Sequence, residues 1–210
     1  SEVSFTELAA RSLHWNVFDT FSGRLALTPT LYKLGERAYK KATHIPDYAF
    51  CQVRNELCSV GHAFKGDVVL GNLPLLVSIG NHAFNFFAGK LTITNNTFPA
   101  LVEIGNGAFS LASNEDSEVE LIDMTHLESI GAQAFYNFAG KVTITGSFPT
   151  LVKVDEWAFH SASNTASDVS FTVLGPNAMF FDDVFKSFAG TLALTPALYA
   201  IGSKAYKFAT

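Results

Sequence analysis

The sequence predicts a β-rich α/β solenoid, a right-handed coil with a parallel β-sheet on one face and short helical or 3-10 turns on the other. Three observations predict it. An apolar-Gly-x-x-Ala-aromatic signature recurs along the chain, a short alternating apolar run recurs in step with it, and Phe is heavily used, 20 of 210 residues against 2 Trp and 6 Tyr. Internal periodicity of this length marks a stacked-repeat architecture and displaces the reading of 210 residues as one or two ordinary domains.

The signature stands cleanly at Leu34-Gly35 with Ala38-Tyr39, Ile79-Gly80 with Ala83-Phe84, Ile104-Gly105 with Ala108-Phe109, Ile130-Gly131 with Ala134-Phe135, and Ile201-Gly202 with Ala205-Tyr206. Degenerate copies lie at Val60 to Phe64, one residue short, and at Val154 to Phe159, where Asp155 replaces Gly. Ile45-Pro-Asp-Tyr-Ala49-Phe50 reads as an extra or broken copy inside an irregular stretch at 43–66. From residue 79 the starts fall at 79, 104, 130 and 154, and a variant stretch surrounds Leu174-Gly175. Gly at the apolar-Gly step is expected where the chain needs either positive φ or close backbone approach.

The alternating runs are Val3-Ser-Phe5, Leu25-Ala-Leu27, Val68-Val-Leu70, Leu91-Thr-Ile93, Val119-Glu-Leu121, Val142-Thr-Ile144, Val169-Ser-Phe171 and Leu192-Ala-Leu194. Alternation flanked by Gly, Pro and Asn reads as a short strand with one buried face. The runs come in two alternating classes. One follows Phe-x-x-Phe-[Ala/Ser]-Gly, as at Phe84 to Gly89 and Phe135 to Gly140; the other follows Ala-aromatic-x-x-Ala-[Ser/Thr], as at Ala108 to Ser113 and Ala158 to Ser163. The unit is therefore a double repeat of about 50 residues, and residues 1–43 realign on 167–210. The chain reads as one solenoid over 1–210, of about eight or nine repeats, belonging to a longer array.

A unit of about 25 residues cannot bury its own apolar side, so each stacks on its neighbours around a quasi-one-dimensional core. Strands at equal phase then run parallel, about 4.8 Å apart. The Phe and Ala of each Ala-Phe pair form a buried column of large plug and small neighbour.

Composition narrows the function classes. The chain is 48% hydrophobic and 16% charged, with mean hydropathy +0.21, too apolar for a disordered protein. A net charge of -5 and a pI near 5.6 argue against a nucleic-acid partner. No apolar run approaches the roughly 18 to 20 residues of a membrane span, and the opening residues do not form a signal peptide. Enzyme signatures are missing: no Gly-x-Ser-x-Gly elbow, phosphate loop, His-Glu-x-x-His or paired Cys-x-x-Cys. The expectation is a non-enzyme with no catalytic residues, no cofactor and no metal.

The Ile-Gly-x-x-Ala-Phe copies, each followed by a helical-looking half turn and an apolar-x-apolar strand, resemble the BspA-like leucine-rich repeats over nearly the whole chain. The resemblance implies a leucine-rich-repeat coil, and a role like that of the family's surface-exposed binding and adhesion proteins. The alternation of two repeat types departs from the bacterial consensus.

Function is sought on positions that repeat without being apolar. The residue before each strand reads Glu2, Arg24, Asp67, Lys90, Glu118, Lys141, Asp168 and Thr191. Its alternating signs predict a structural charge ladder with Lys90, Glu118, Lys141 and Asp168 in one row, each cross-strand pair contributing about 0.2–1 kcal/mol. Outward strand positions make a Thr-rich face, and Thr92, Thr94, Glu120, Thr143, Thr145, Ser170 and Thr172 are the candidate binding residues. A threonine array also raises ice binding, set against the ordinary fitness of Thr for a half-exposed strand. His62 and His82 precede Ala-Phe in what read as adjacent copies and form a candidate metal pair with no third ligand. Ser113 to Glu118 with Glu120 offers carboxylates but lacks the spacing of a calcium loop. Asn95 opens a glycosylation sequon. Cys51 and Cys58 form either a disulfide stapling the irregular stretch or two buried thiols.

These features predict a non-catalytic scaffold binding through the Thr-rich face, and the resemblance implies protein or glycan interaction and adhesion at a cell surface or outside the cell. The alternative is a structural, filament-forming protein whose repeats stack end to end through uncapped solenoid ends.

Overall fold

The structure is a computed structural model that describes residues 44–45, 47–51, 67–70, 76–94 and 98–193, together with the backbone of two further strands at 2–3 and 24–27. Among the described residues there are fourteen strands: β1 Glu2–Val3, β2 Arg24–Leu27, β3 His44–Ile45, β4 Asp67–Leu70, β5 Ser78–Ile79, β6 Leu91–Ile93, β7 Glu103–Ile104, β8 Glu118–Ile122, β9 Ser129–Ile130, β10 Lys141–Phe148, β11 Lys153–Val154, β12 Asp168–Leu174, β13 Met179–Phe180 and β14 Thr191–Ala193. They form two parallel sheets. Sheet A has the order β1-β2-β4-β6-β8-β10-β12-β14 and sheet B the order β13-β11-β9-β7-β5-β3. From β3 to β14 the strands alternate between the two sheets, one of each per coil, and the fold is a β-solenoid.

All eight alternating runs supply the strands of sheet A. Their alternation is the burial pattern: in β6 Leu91 and Ile93 point inward around Thr92, and in β8 Val119 and Leu121 do so between Glu118, Glu120 and Ile122. The helical or 3-10 turns expected opposite this sheet are not what the described residues form. Their place is taken by sheet B, with strands of two residues, and by a run of stacked tight turns. In each coil the turns alternate two kinds of hydrogen bond. Ala83, Asn85 and Phe87 donate within the coil to the carbonyls of Gly80, His82 and Phe84, while His82, Phe84 and Phe86 donate along the axis to Asn106, Ala108 and Ser110 of the next coil. A helix satisfies its amides internally; here half of them tie coil to coil.

This geometry needs two left-handed residues per coil, at the third position of a turn where a type II turn places positive φ. One column holds Tyr48, His82, Gly107, Gln133, Trp157 and Asp183, the other Phe86, Leu111, Asn137, Ser161 and Ser187. Among the described residues of these columns glycine fills the role only at Gly107. The apolar-Gly step has the other of the two expected causes, close approach: a Cβ on Gly131 would stand 2.7 Å from the Asn106 amide nitrogen and 2.8 Å from the Gly105 carbonyl carbon, and one on Gly105 would meet Gly80 and Asn81 at 2.7 Å.

The core is a rod of aromatic rings. Phe50, Phe84, Phe109, Phe135, Phe159 and Phe185 stack face to face with centroids 4.9–5.5 Å apart and planes within 20°. That separation matches the spacing of parallel strands, so one ring per coil is the natural filling. Phe87, Phe138 and Phe188 form a second column, each edge-on to the ring of its own coil at 5.8–6.1 Å. Burying each such side chain contributes about 1.5–3 kcal/mol.

Ile45 to Phe50 proves to be an in-phase copy. Its β3 pairs with β5, Phe50 stacks on Phe84, and Tyr48 takes the left-handed position. The degenerate Val60 to Phe64 copy lies outside the described residues. The next described strand after this copy is β4, which joins sheet A between β2 and β6.

Candidate functional site

The outer face of sheet A is built by residues that alternate with buried Val, Leu, Ile and Phe. Thr92, Thr94, Glu120, Thr143, Thr145 and Ser170 are half-buried and Thr172 is exposed, so the predicted binding residues share one face of the sheet. Their rows differ from those expected. Glu118 stands opposite Lys141, but it stands opposite Thr92 on its other side, and Asp168 stands opposite Thr143.

Lys90, Glu118, Lys141 and Asp168 therefore do not form a single row; the register steps by two residues between β6 and β8 and between β10 and β12. Two buried serines mark the step. Ser117 and Ser167 turn their Oγ atoms to accept the N–H groups of Leu91 and Val142, each at 2.9 Å, where a ladder carbonyl was expected. A two-residue step preserves the inward and outward faces, so alternation alone does not reveal it.

Within the face, Lys141 Nζ donates to Glu118 Oε1 at 2.7 Å, and this bond holds the ammonium pKa above its ordinary value. The Lys90 amide donates to Asp67 Oδ1 at 2.8 Å. Thr143 lies between Glu120 and Asp168, and its Oγ1 is buried without a hydrogen-bond partner. Thr145 lies between Ile122 and Ser170, and Thr92 between Val69 and Glu118. In these paired rows no threonine faces another, so the regular lattice that ice binding would use is not assembled.

The ring stacked on His82 is Tyr48, at 5.3 Å and 13°, and His62 lies outside the described residues. His82 Nδ1 hydrogen-bonds Asn85 Nδ2 at 3.0 Å, and burial lowers the His82 pKa more than Asp47 raises it. Among the described residues no three His, Cys, Asp or Glu side chains converge as a metal site. In the acidic turn, Asn114 Oδ1 accepts from the Asp116 amide and Ser117 is buried, leaving Glu115 and Asp116 at the surface. Cys51 is disulfide-bonded; the chain's other cysteine, Cys58, lies outside the described residues, as does Asn95.

A cluster that sequence reasoning did not single out lies on the turns. Trp157, 41% exposed with φ 59°, meets His160 edge-on at 5.9 Å, and Tyr136 of the preceding coil meets the same imidazole at 5.3 Å. Lys186 and Asp183 of the following coil pair at 3.3 Å. Burial, and then the Lys186 charge, lower the His160 pKa. The signal for this cluster was the break in pattern at Asp155, where the coil exchanges its glycine and gathers Glu156, Trp157 and His160.

Two sheets of one strand per coil, glycines at the closest coil contact and a stacked Phe column together make the repeating unit plain. The model of the BspA type leucine rich repeat region, in six copies, matches residues 37–166 and 77–207. The chain belongs to the BspA-type leucine-rich repeat family. No curated protein and no solved structure matches it. Membership fits the BspA-type repeats to a scaffold role, and among the described residues no helix is long and apolar enough to cross a membrane.

Proposed function

We propose that this chain is a non-catalytic recognition scaffold that binds a protein or glycan partner through the outer face of sheet A, at a cell surface or outside the cell. The observation that carries the reading is the face itself. Among the described residues β6, β8, β10 and β12 of one parallel sheet present half-buried and exposed polar side chains over a packed apolar core, and the sheet hydrogen bonds and that packing support a pre-organised surface. Rigid presentation of polar groups reduces the ordering cost of association. The centre of the face is the block Glu120, Thr143, Thr145 and Ser170, where β8, β10 and β12 make the longest pairings.

The test is binding of the labelled, purified chain to arrays of surface proteins and glycans, repeated with a Glu120→Gln, Thr143→Ala, Thr145→Ala, Ser170→Ala variant. Loss of the captured ligands with an unchanged thermal melt supports the sheet face. Undiminished capture overturns it.

A further inference from the structure

We infer that the turns of the coil at 154–163 carry a second binding site, a stacking platform for an uncharged oligosaccharide built on Trp157. In a repeat array the residues common to all coils serve the stack, and those of a single coil are free to serve a ligand. The corresponding segments read Gly105-Asn-Gly-Ala-Phe-Ser110 and Gly131-Ala-Gln-Ala-Phe-Tyr136, but Asp155-Glu-Trp-Ala-Phe-His160 here. Ala and Phe are kept, and the other four positions carry two acids, an indole and an imidazole.

Geometry supports recognition rather than packing. The stacked core aromatics are buried, whereas the Trp157 indole is 41% exposed, on a column position that Tyr48, His82, Gly107, Gln133 and Asp183 occupy in the other coils. His160 braces the indole edge-on at 5.9 Å, and Tyr136 braces His160. The ring is thus held as a fixed apolar plate, large and stiff with few torsions to freeze.

The rim decides the ligand class. Glu156 in the same coil and Asp182 in the next are exposed carboxylates, and half-buried Gln133 occupies the left-handed column one coil earlier. An apolar plate edged by hydroxyl acceptors and an amide suits a pyranose, whose C–H face lies on the indole while its hydroxyls reach the rim. The acidic rim disfavours anionic sugars by like charge. The site lies on the turns and does not rest on the sheet A reading.

The test titrates the full chain with cellohexaose and chitohexaose, with an oligogalacturonide as the anionic control, read by tryptophan fluorescence and calorimetry. Saturable binding of a neutral oligomer is expected, weakened about tenfold or more in Trp157→Gly, partly kept in Trp157→Phe and unchanged in Glu103→Gln, an exposed position on sheet B outside both sites. Glycine accepts the left-handed φ, as at Gly107, so Trp157→Gly should keep its thermal melt and separate recognition from folding. No saturable signal with either neutral oligomer, or binding that survives in a folded Trp157→Gly chain, overturns the proposal. Saturation by tetramethylammonium but by neither sugar also overturns it, in favour of a cation-binding ring.

Discussion

The coils with a second phenylalanine and the coils with alanine in its place solve the same packing problem differently. In the first kind, Phe138 fills the second column, and Ala139-Gly140 leads directly into β10. In the second kind Ala112 and Ala162 leave that volume open, and the next phenylalanine leans back to fill it, Phe138 meeting Phe109 at 6.4 Å and Phe188 meeting Phe159 at 6.5 Å. The alanine coils then take three more residues to reach sheet A, 109 to 119 against 135 to 142, and spend them on the Asn114 and Asn164 turns and the buried Ser117 and Ser167. Neither coil is a complete packing unit. The double repeat exists because one aromatic side chain serves two layers.

The strongest way to break this comparison is Phe138→Ala, expected to cost about 3–5 kcal/mol in urea denaturation. If two coils share the volume, adding Ala112→Phe should recover about 1 kcal/mol or more, although Ala112→Phe alone destabilises by overpacking. Strict additivity would show that the columns are independent. Where the coils are alike they should respond alike. Gly105→Ala and Gly131→Ala each push a methyl into the backbone of the preceding coil and should each lose about 1–3 kcal/mol.

Ser117→Ala and Ser167→Ala leave the Leu91 and Val142 amides without an acceptor, for about 1–3 kcal/mol each, while the corresponding phenylalanine-coil position is Gly140 or Gly190. His82, in a phenylalanine coil, and His160, in an alanine coil, both have pKa values below the ordinary 6.5 when folded. The unfolded chain therefore binds protons first, and their stabilising contribution is full above 6.5 and lost as pH falls through 6.5 toward the depressed values. A melting series across that window should show the decline, and His82→Gln with His160→Gln should flatten it. Smallest of all is the seam between coil types: Glu118→Gln removes a partly exposed pair and should change stability by less than about 1 kcal/mol.

Much of this was legible in the residues. The eight runs of sheet A announced themselves because a half-buried strand of three or more residues must alternate, and the Phe excess became the two ring columns. Sheet B was not legible, since Ser78-Ile79 and Lys153-Val154 are too short to show a period and Gly-x-x-Ala-Phe has the spacing of a helical turn. The left-handed columns were hidden because His82, Gln133 and Trp157 hold positions where a glycine would have been the only sequence signal. The charge ladder keeps its register from Glu2 through Arg24 to Asp67 and again from Glu118 to Lys141, and it breaks at the two steps for a comparable reason. Alignment by residue type assumes constant register, and the serine hydroxyl that shifts it looks like any other turn residue. At the candidate face the residues were identified correctly as neighbours on one side of a sheet, but their rows were not.

The alternating turn bonds give neighbouring amides different reporters. Phe84 and Phe109 donate to the next coil, while Asn85 and Ser110, one residue on, donate within their own. Separation of two coils frees the first kind and leaves the second closed; unravelling of one turn frees the second. Hydrogen exchange along 82–87 or 107–112 therefore resolves two motions in a single peptide, peeling of the rod and fraying of a coil, with even and odd residues acting as separate clocks.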